Sequence, residues 1–273
     1  MIYIYGGSNS KSLDSIRRVK AIYDILAKEN IKSEILVNDF RAQHFATSLG
    51  LPLSTPIESV LDIDMIAPKG STIIIDTNES IDNLDYYLRV YKKVILIQEE
   101  MPKKSVDVSL FTLDKDLISF DIDKNGKKDI VLALFDFDRY SFLRKNISFI
   151  EERNFYIYVG EYFYIKDILE LEDRSFAYDS QKYLDLLRDF RVVVTSSYQI
   201  AIDALVNRSK VYFLELAPLK EKLKLRLKEF GVVFIDNLDE IEEESVVDND
   251  FQDKLNMLRE EFKNKLISKI KEP

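Results

Sequence analysis

Five places along the chain bring together residue types that could do chemistry. The first is Gly6-Gly7-Ser8-Asn9-Ser10, directly after the β-branched and aromatic run at 2–5. Two glycines let main-chain N–H groups approach an anion, and Ser8, Asn9 and Ser10 add small donors. The stretch is neither G-x-G-x-x-G nor a P-loop, so a plain turn with a Ser or Asp helix cap also accounts for it. The second is Ser15 with Arg17 and Arg18 behind it. Guanidinium groups at the start of a helix can face a phosphate or carboxylate, or simply face water. The third is Asp136-Phe137-Asp138, a D-x-D pattern of the kind that holds a divalent metal and a diphosphate. Loop carboxylates that cap the next helix look the same. The fourth is Thr195-Ser196-Ser197, with Asp203 two helical turns further on. Hydroxyls and N–H groups at a helix start can hold a phosphate, and a carboxylate beyond them could accept ribose hydroxyls. A capping turn and a surface Asp need no ligand at all. The fifth sets Asp121, Asp123, Asn125 and Asp129 at positions one, three, five and nine of a calcium-type loop. Leu132 stands at the twelfth position, where a bidentate Glu belongs, and Asn125-Gly126 also reads as a hairpin turn.

The elements that must position these groups alternate between short β-branched or aromatic runs and longer amphipathic stretches, the signature of parallel sheets. Strands are expected at 2–5, 33–37, 72–76, 93–98 and 106–112, with helices at 13–30, 40–49, 57–66 and 81–91. A charged, turn-rich break follows, and the pattern restarts. Strands are expected at 129–135, 155–159, 175–178, 192–195, 211–214 and 232–235, and helices at 141–152, 181–188, 197–206, 218–230 and 251–270. This is an α/β chain with two Rossmann-like parallel-sheet domains, 1–120 and 121–273, helices on both faces and a cleft between them. The last helix belongs to the second domain on this reading. Its Leu255, Leu258, Phe262 and Leu266 could dock a protein partner or pack on their own chain.

Composition removes several function classes. The 273 residues hold no cysteine, which excludes disulfides, thiolate metal sites and cysteine nucleophiles. The single histidine, His44, excludes multi-histidine metal sites. It could act as a base, but a lone helical His is more often structural. Net charge is −9 with no long basic stripe, so no nucleic-acid partner is expected. Lys220, Lys222, Lys224, Arg226 and Lys228 read as a solvated helix face. No apolar run approaches the roughly 20 residues of a membrane span, and the first residues read as a strand rather than a signal peptide. A cytoplasmic location is expected. Tyr156, Tyr158, Tyr162 and Tyr164 could stack on a base or sugar, or pack the sheet. Only 7 glycines occur, few for a phosphate-binding protein.

The order of elements resembles the two-domain GT-B glycosyltransferases. Within them it is most similar to the UDP-sugar hydrolase of pseudaminic acid biosynthesis and the lipid II-forming N-acetylglucosaminyltransferase. Three stretches carry the resemblance: residues 2–26, Ile73-Ile74-Ile75-Asp76, and Ser196-Ser197 with an acid, Asp203, seven positions after Ser196. The resemblance implies a nucleotide-sugar transferase or hydrolase of surface-polysaccharide or glycan biosynthesis that needs no cofactor; calcium is a side expectation from the spacing of the Asp121 loop alone. It gives phosphate contact to Ser196 and Ser197, ribose contact to Asp203, and sugar or acceptor contact to Ser8, Asn9, Ser10 and Arg17. The chain departs from the family pattern at three places. Ser15 stands where the hydrolase carries its catalytic His, Asp136-Phe137 replaces a glycine pair, and Ile200 replaces a hydroxyl residue. Ser15, Arg17 and Asp136 are therefore the catalytic candidates. The alternative is a relative that binds or regulates without catalysis.

Overall fold

The computed structural model describes residues 1–9, 12–82, 84–98, 110–114, 118–119, 128–134, 142–158, 175–176, 181–242 and 249–272. The chain divides into two units. Unit 1 holds Met1–Phe120 with Met257–Pro273, and unit 2 holds Asp121–Asn256.

Among the described residues, unit 1 contains β1 (Ile2–Gly6), α1 (Asp14–Lys28), β2 (Ser33–Val37), α2 (Phe40–Ser48), β3 (Thr55–Pro56), α3 (Ile63–Ile66), β4 (Thr72–Asp76), α4 (Leu84–Val90), β5 (Lys93–Gln98) and β6 (Leu110–Asp114). One 3-10 turn, Val60–Asp62, precedes α3. The strands form a parallel sheet in the order β3-β2-β1-β4-β5-β6. Strands buried on both faces need continuous apolar runs, and IYIYG and TIIID are such runs. Tyr3, Tyr5, Ile73 and Ile75 pack on one face with Ile63, Ala67, Tyr87 and Tyr91. Gly6 lies on the opposite face, where an added Cβ would come within 2.9 Å of Val19 Cγ2, so α1 covers that side. Burying each such aliphatic side chain stabilises the unit by about 1.5–3 kcal/mol.

Unit 2 repeats the plan. It contains β7 (Lys128–Ala133), α5 (Phe142–Lys145), α6 (Ile147–Glu152), β8 (Tyr156–Tyr158), β9 (Ser175–Phe176), α7 (Gln181–Asp189), β10 (Phe190–Thr195), α8 (Tyr198–Val206), β11 (Lys210–Leu214), α9 (Glu221–Glu229) and β12 (Val233–Ile235). The parallel order is β12-β11-β10-β7-β8-β9. Counted from the first strand of each unit, both sheets run 3-2-1-4-5-6, the order of dinucleotide-binding folds.

Several expectations change: the helix expected at 57–66 is a 3-10 turn followed by the four-residue α3. The helix expected at 141–152 is two short helices, because the chain turns at Asn146, whose side chain bonds the Phe142 carbonyl. The last helix, α10 (Asn249–Lys271), starts in unit 2 but counts with unit 1 from Met257 onward. Its C-terminal end is held there by Lys93, whose ammonium donates to the carbonyls of Lys269, at 2.6 Å, and Glu272. Leu255, Phe262 and Leu266 are buried, so the apolar face offered as a docking surface is used by its own chain.

Candidate functional site

In an open parallel sheet, ligands bind beyond the carboxyl ends of the strands where the strand order reverses. In unit 1 the chain leaves β1 toward β2 and β3, then crosses to β4 on the other side. The reversal therefore lies between β1 and β4. In unit 2 it lies between β7 and β10 by the same count. The first and fourth sequence stretches lie at these two reversals.

The unit 1 junction is filled by its own side chains. Gly7 N–H continues the ladder to the Asp76 carbonyl at 2.8 Å. Ser8 and Asn38 bond reciprocally, Ser8 N–H to Asn38 Oδ1 at 2.8 Å and Asn38 Nδ2 to the Ser8 carbonyl at 2.7 Å. Ser8 Oγ donates to Asp39 Oδ2 at 2.7 Å. Asn9 is exposed, and its carbonyl accepts from Arg41 at 2.9 Å. Burial alone would raise the Asp39 carboxyl, but bonds from Ala42 N–H, Ser8 and Arg41 outweigh it and hold Asp39 below its ordinary value. The close approach the two glycines permit is to their own chain. A Cβ on Gly7 would lie 2.1 Å from Thr77 Oγ1.

The basic pair on α1 is buried. Arg18 grips Asp76 through two bonds, Nε to Oδ2 at 2.6 Å and Nη2 to Oδ1 at 2.9 Å. Arg17 has no exposed surface; it bonds Asp14 at 2.9 Å and its guanidinium sits 5.0 Å from the Phe45 ring centre. Ser15 is buried too, and its hydroxyl has no hydrogen-bond partner among the described residues.

The unit 2 junction is built differently. Ser196 N–H donates to the Leu134 carbonyl at 3.0 Å, stitching the ends of β10 and β7 together. Ser197 caps α8 by accepting from Ile200 N–H at 3.3 Å, and its own N–H donates to Thr195 Oγ1 at 3.0 Å. Ser196 Oγ is buried with no hydrogen-bond partner among the described residues. The first turn of α8 carries no acidic residue, whereas that of α1 carries Asp14. Asp203 lies fully buried one turn beyond Gln199. It accepts from Tyr183 O–H at 2.6 Å and from Gln199 Nε2 at 2.9 Å. A ribose hydroxyl reaches that carboxylate only where Tyr183 or Gln199 gives way.

Ser10, Asp136, Asp121, Asp123, Asn125, Tyr162 and Tyr164 lie outside the described residues. Asp129 is exposed on β7 and ion-paired with Arg191. Among the described residues no cluster of three His, Asp or Glu could hold a metal ion. His44 is exposed on α2. Tyr156 packs edge-on to Phe190, and Tyr158 tilts against Tyr183. Sequence reasoning missed Tyr5, Asn38, Glu79, Tyr183 and Gln199, which build the junctions. Asn38 and Glu79 come within three residues of a strand end, a position that could have flagged them.

No family model and no curated protein matches the chain. Solved structures share its fold. The spinosyn forosaminyltransferase SpnP is 10% identical with a TM-score of 0.54, covering 96% of this chain and 94% of that one. The UDP-GlcNAc 2-epimerase of Methanocaldococcus jannaschii, in complex with UDP-GlcNAc and UDP, is 12% identical with a TM-score of 0.51, covering 94% and 92%. The S. aureus MnaA–UDP co-structure is 10% identical with a TM-score of 0.51, covering 94% and 87%. Among the described residues no helix is long and apolar enough to cross a membrane. The chain thus has two Rossmann-like domains of GT-B-like fold, the fold that these glycosyltransferase and epimerase structures share.

Proposed function

We propose that the chain binds a nucleotide sugar by its diphosphate at the β10–α8 junction. It would act as a glycosyltransferase-like or UDP-sugar hydrolase-like protein of surface-polysaccharide or glycan biosynthesis. One observation carries the reading: Ser196 keeps a buried hydroxyl without a partner, at the strand-order reversal, one residue ahead of a helix cap. An orphaned buried hydroxyl costs about 1–3 kcal/mol, so it calls for a compensating role. Here a diphosphate oxygen fills it, helped by an acid-free helix start. Such a site needs no metal. Asp203 acts from behind, holding Gln199 in the first turn of α8. Two proteins of this fold were solved with UDP, which makes uridine nucleotides the first probes.

A second reading is favoured by a specific observation. Ser15 and Arg17, the described catalytic candidates, are buried, and Arg17 already holds Asp14. A protein that binds the nucleotide sugar without turning it over fits that arrangement. Thermal melting with UDP, CMP, GDP and their sugars, each with calcium and with chelator, tests both readings. A rise with one nucleotide that Ser196→Ala weakens supports the site, and release of free sugar or nucleotide then separates enzyme from binder. No rise with any nucleotide would overturn the site as placed. A fall with chelator alone would point to calcium on the Asp121 loop.

A further inference from the structure

Four strand ends of unit 1 converge on one carboxylate. Glu79, three residues past β4, accepts from Tyr5 O–H at 2.5 Å and from Asn38 Nδ2 at 3.3 Å on Oε1. Its Oε2 accepts from Val60 N–H at 3.0 Å. Tyr5 is the last residue but one of β1, Asn38 follows β2, and Val60 follows β3.

Each donor is fixed by something other than Glu79. Tyr5 is buried in β1, in register with Leu36 and Ile75. Asn38 is clasped by Ser8 through its carbonyl oxygen and its amide. Val60 is buried, and its carbonyl accepts from Tyr87 O–H at 2.6 Å. Gly7 makes the room, because a Cβ there would stand 2.9 Å from Glu79 Oε1. Glu79 itself is partly exposed, between exposed Asn78 and Ser80. The donors are rigid and the acceptor lies at the surface.

We propose that this junction is a binding pocket for the carboxylate group of a ligand, and that Glu79 is its built-in occupant. Swapping one carboxylate for another keeps all three hydrogen bonds, so a ligand displaces the tethered Glu79 when its other contacts offset the entropy of association, and a small free carboxylate does not. The surroundings choose a single charge over a phosphate dianion. Asp39 stands beside Asn38, the Asp62 charge acts on Tyr5, and Asp76 neutralises Arg18. The pocket lies wholly in unit 1 and does not rest on the nucleotide reading.

The test is chemical rescue. Glu79→Ala leaves three donors facing an empty seat. Its melting temperature is expected to rise by about 3 °C in acetate or formate over chloride at equal ionic strength, with wild type unmoved. Phosphate is expected to do less. Adding Tyr5→Phe to Glu79→Ala removes one donor and should erase most of the rise. If Glu79→Ala does not fold, Glu79→Gln serves instead. It keeps the shape of the side chain, and its neutral amide yields the seat to acetate more readily than Glu79 does. Melting that is indifferent to acetate and formate in every folded variant overturns the proposal, as does an equal rise in wild type.

Discussion

The two units share a strand order and place equivalent junctions at the same point of the sheet, yet they finish those junctions in opposite ways. In unit 1, Ser8, Asn38, Asp39 and Glu79 satisfy one another, Arg18 locks onto Asp76, and the helix that starts there carries an acid in its first turn. Among the described residues of unit 2, one main-chain bond joins the strand ends beyond the ladder, the Ser196 hydroxyl is left over at the reversal itself, and the helix start is free of acid. Among the described residues, an anion approaching the unit 1 junction finds its donors already occupied by a carboxylate of the chain, whereas at unit 2 it finds a donor left open. Topology fixes where a ligand can go, and a handful of side chains past the strand ends decide whether and what it binds.

That contrast can be broken most forcefully at Asp76. Asp76→Ala takes the two carboxylate bonds from the buried Arg18 guanidinium and should cost about 3–5 kcal/mol, read from the denaturant midpoint. A loss below 1 kcal/mol would mean that Arg18 finds another partner and that the unit 1 junction is looser than described. In unit 2, Tyr183→Phe takes one bond from the buried Asp203 carboxylate and should cost about 1.5–3 kcal/mol by the same measurement. Ser196→Ala sharpens the contrast from the other side. Its hydroxyl is buried without an internal bond, so its removal should raise the stability of the free protein, by up to about 1–3 kcal/mol, while nucleotide affinity, read by calorimetry, falls about five-fold. Equal affinity in both proteins would remove Ser196 from the site. The smallest effect belongs to Asp39. Its carboxyl titrates below the ordinary aspartate value when folded, so its contribution is present above that value and is lost as the pH falls through the folded one. Acid melts of Asp39→Asn should accordingly show a shallower loss than wild type as the pH falls below the ordinary aspartate value of about 4.

Much of the architecture was legible in the residues. Strands β2, β4 and β5 have the bounds read from their apolar runs, because a central parallel strand buries both faces and leaves no ambiguity of period. Strand β3 was not read at all: two residues ending in Pro56 carry no pattern. The site was legible only in part. Ser196 and Ser197 stand out as hydroxyls between a strand and a helix, and the structure puts them at the reversal of the sheet. The guanidinium of Arg17 was taken as facing a ligand or water, whereas the packing of α1 against Phe45 encloses it.

Local pattern, then, determined the alternation of strands and helices, the two parallel-sheet units and the loops that follow their strands, since hydrophobic period and turn chemistry act over a few residues. Tertiary structure alone decided which loops meet. Tyr5, Asn38, Val60 and Glu79 span 74 positions of sequence and converge on one carboxylate, and Tyr183 reaches Asp203 across 20. Such bonds depend on strand order and crossover, and no local signal in the chain encodes how two distant strand ends face each other.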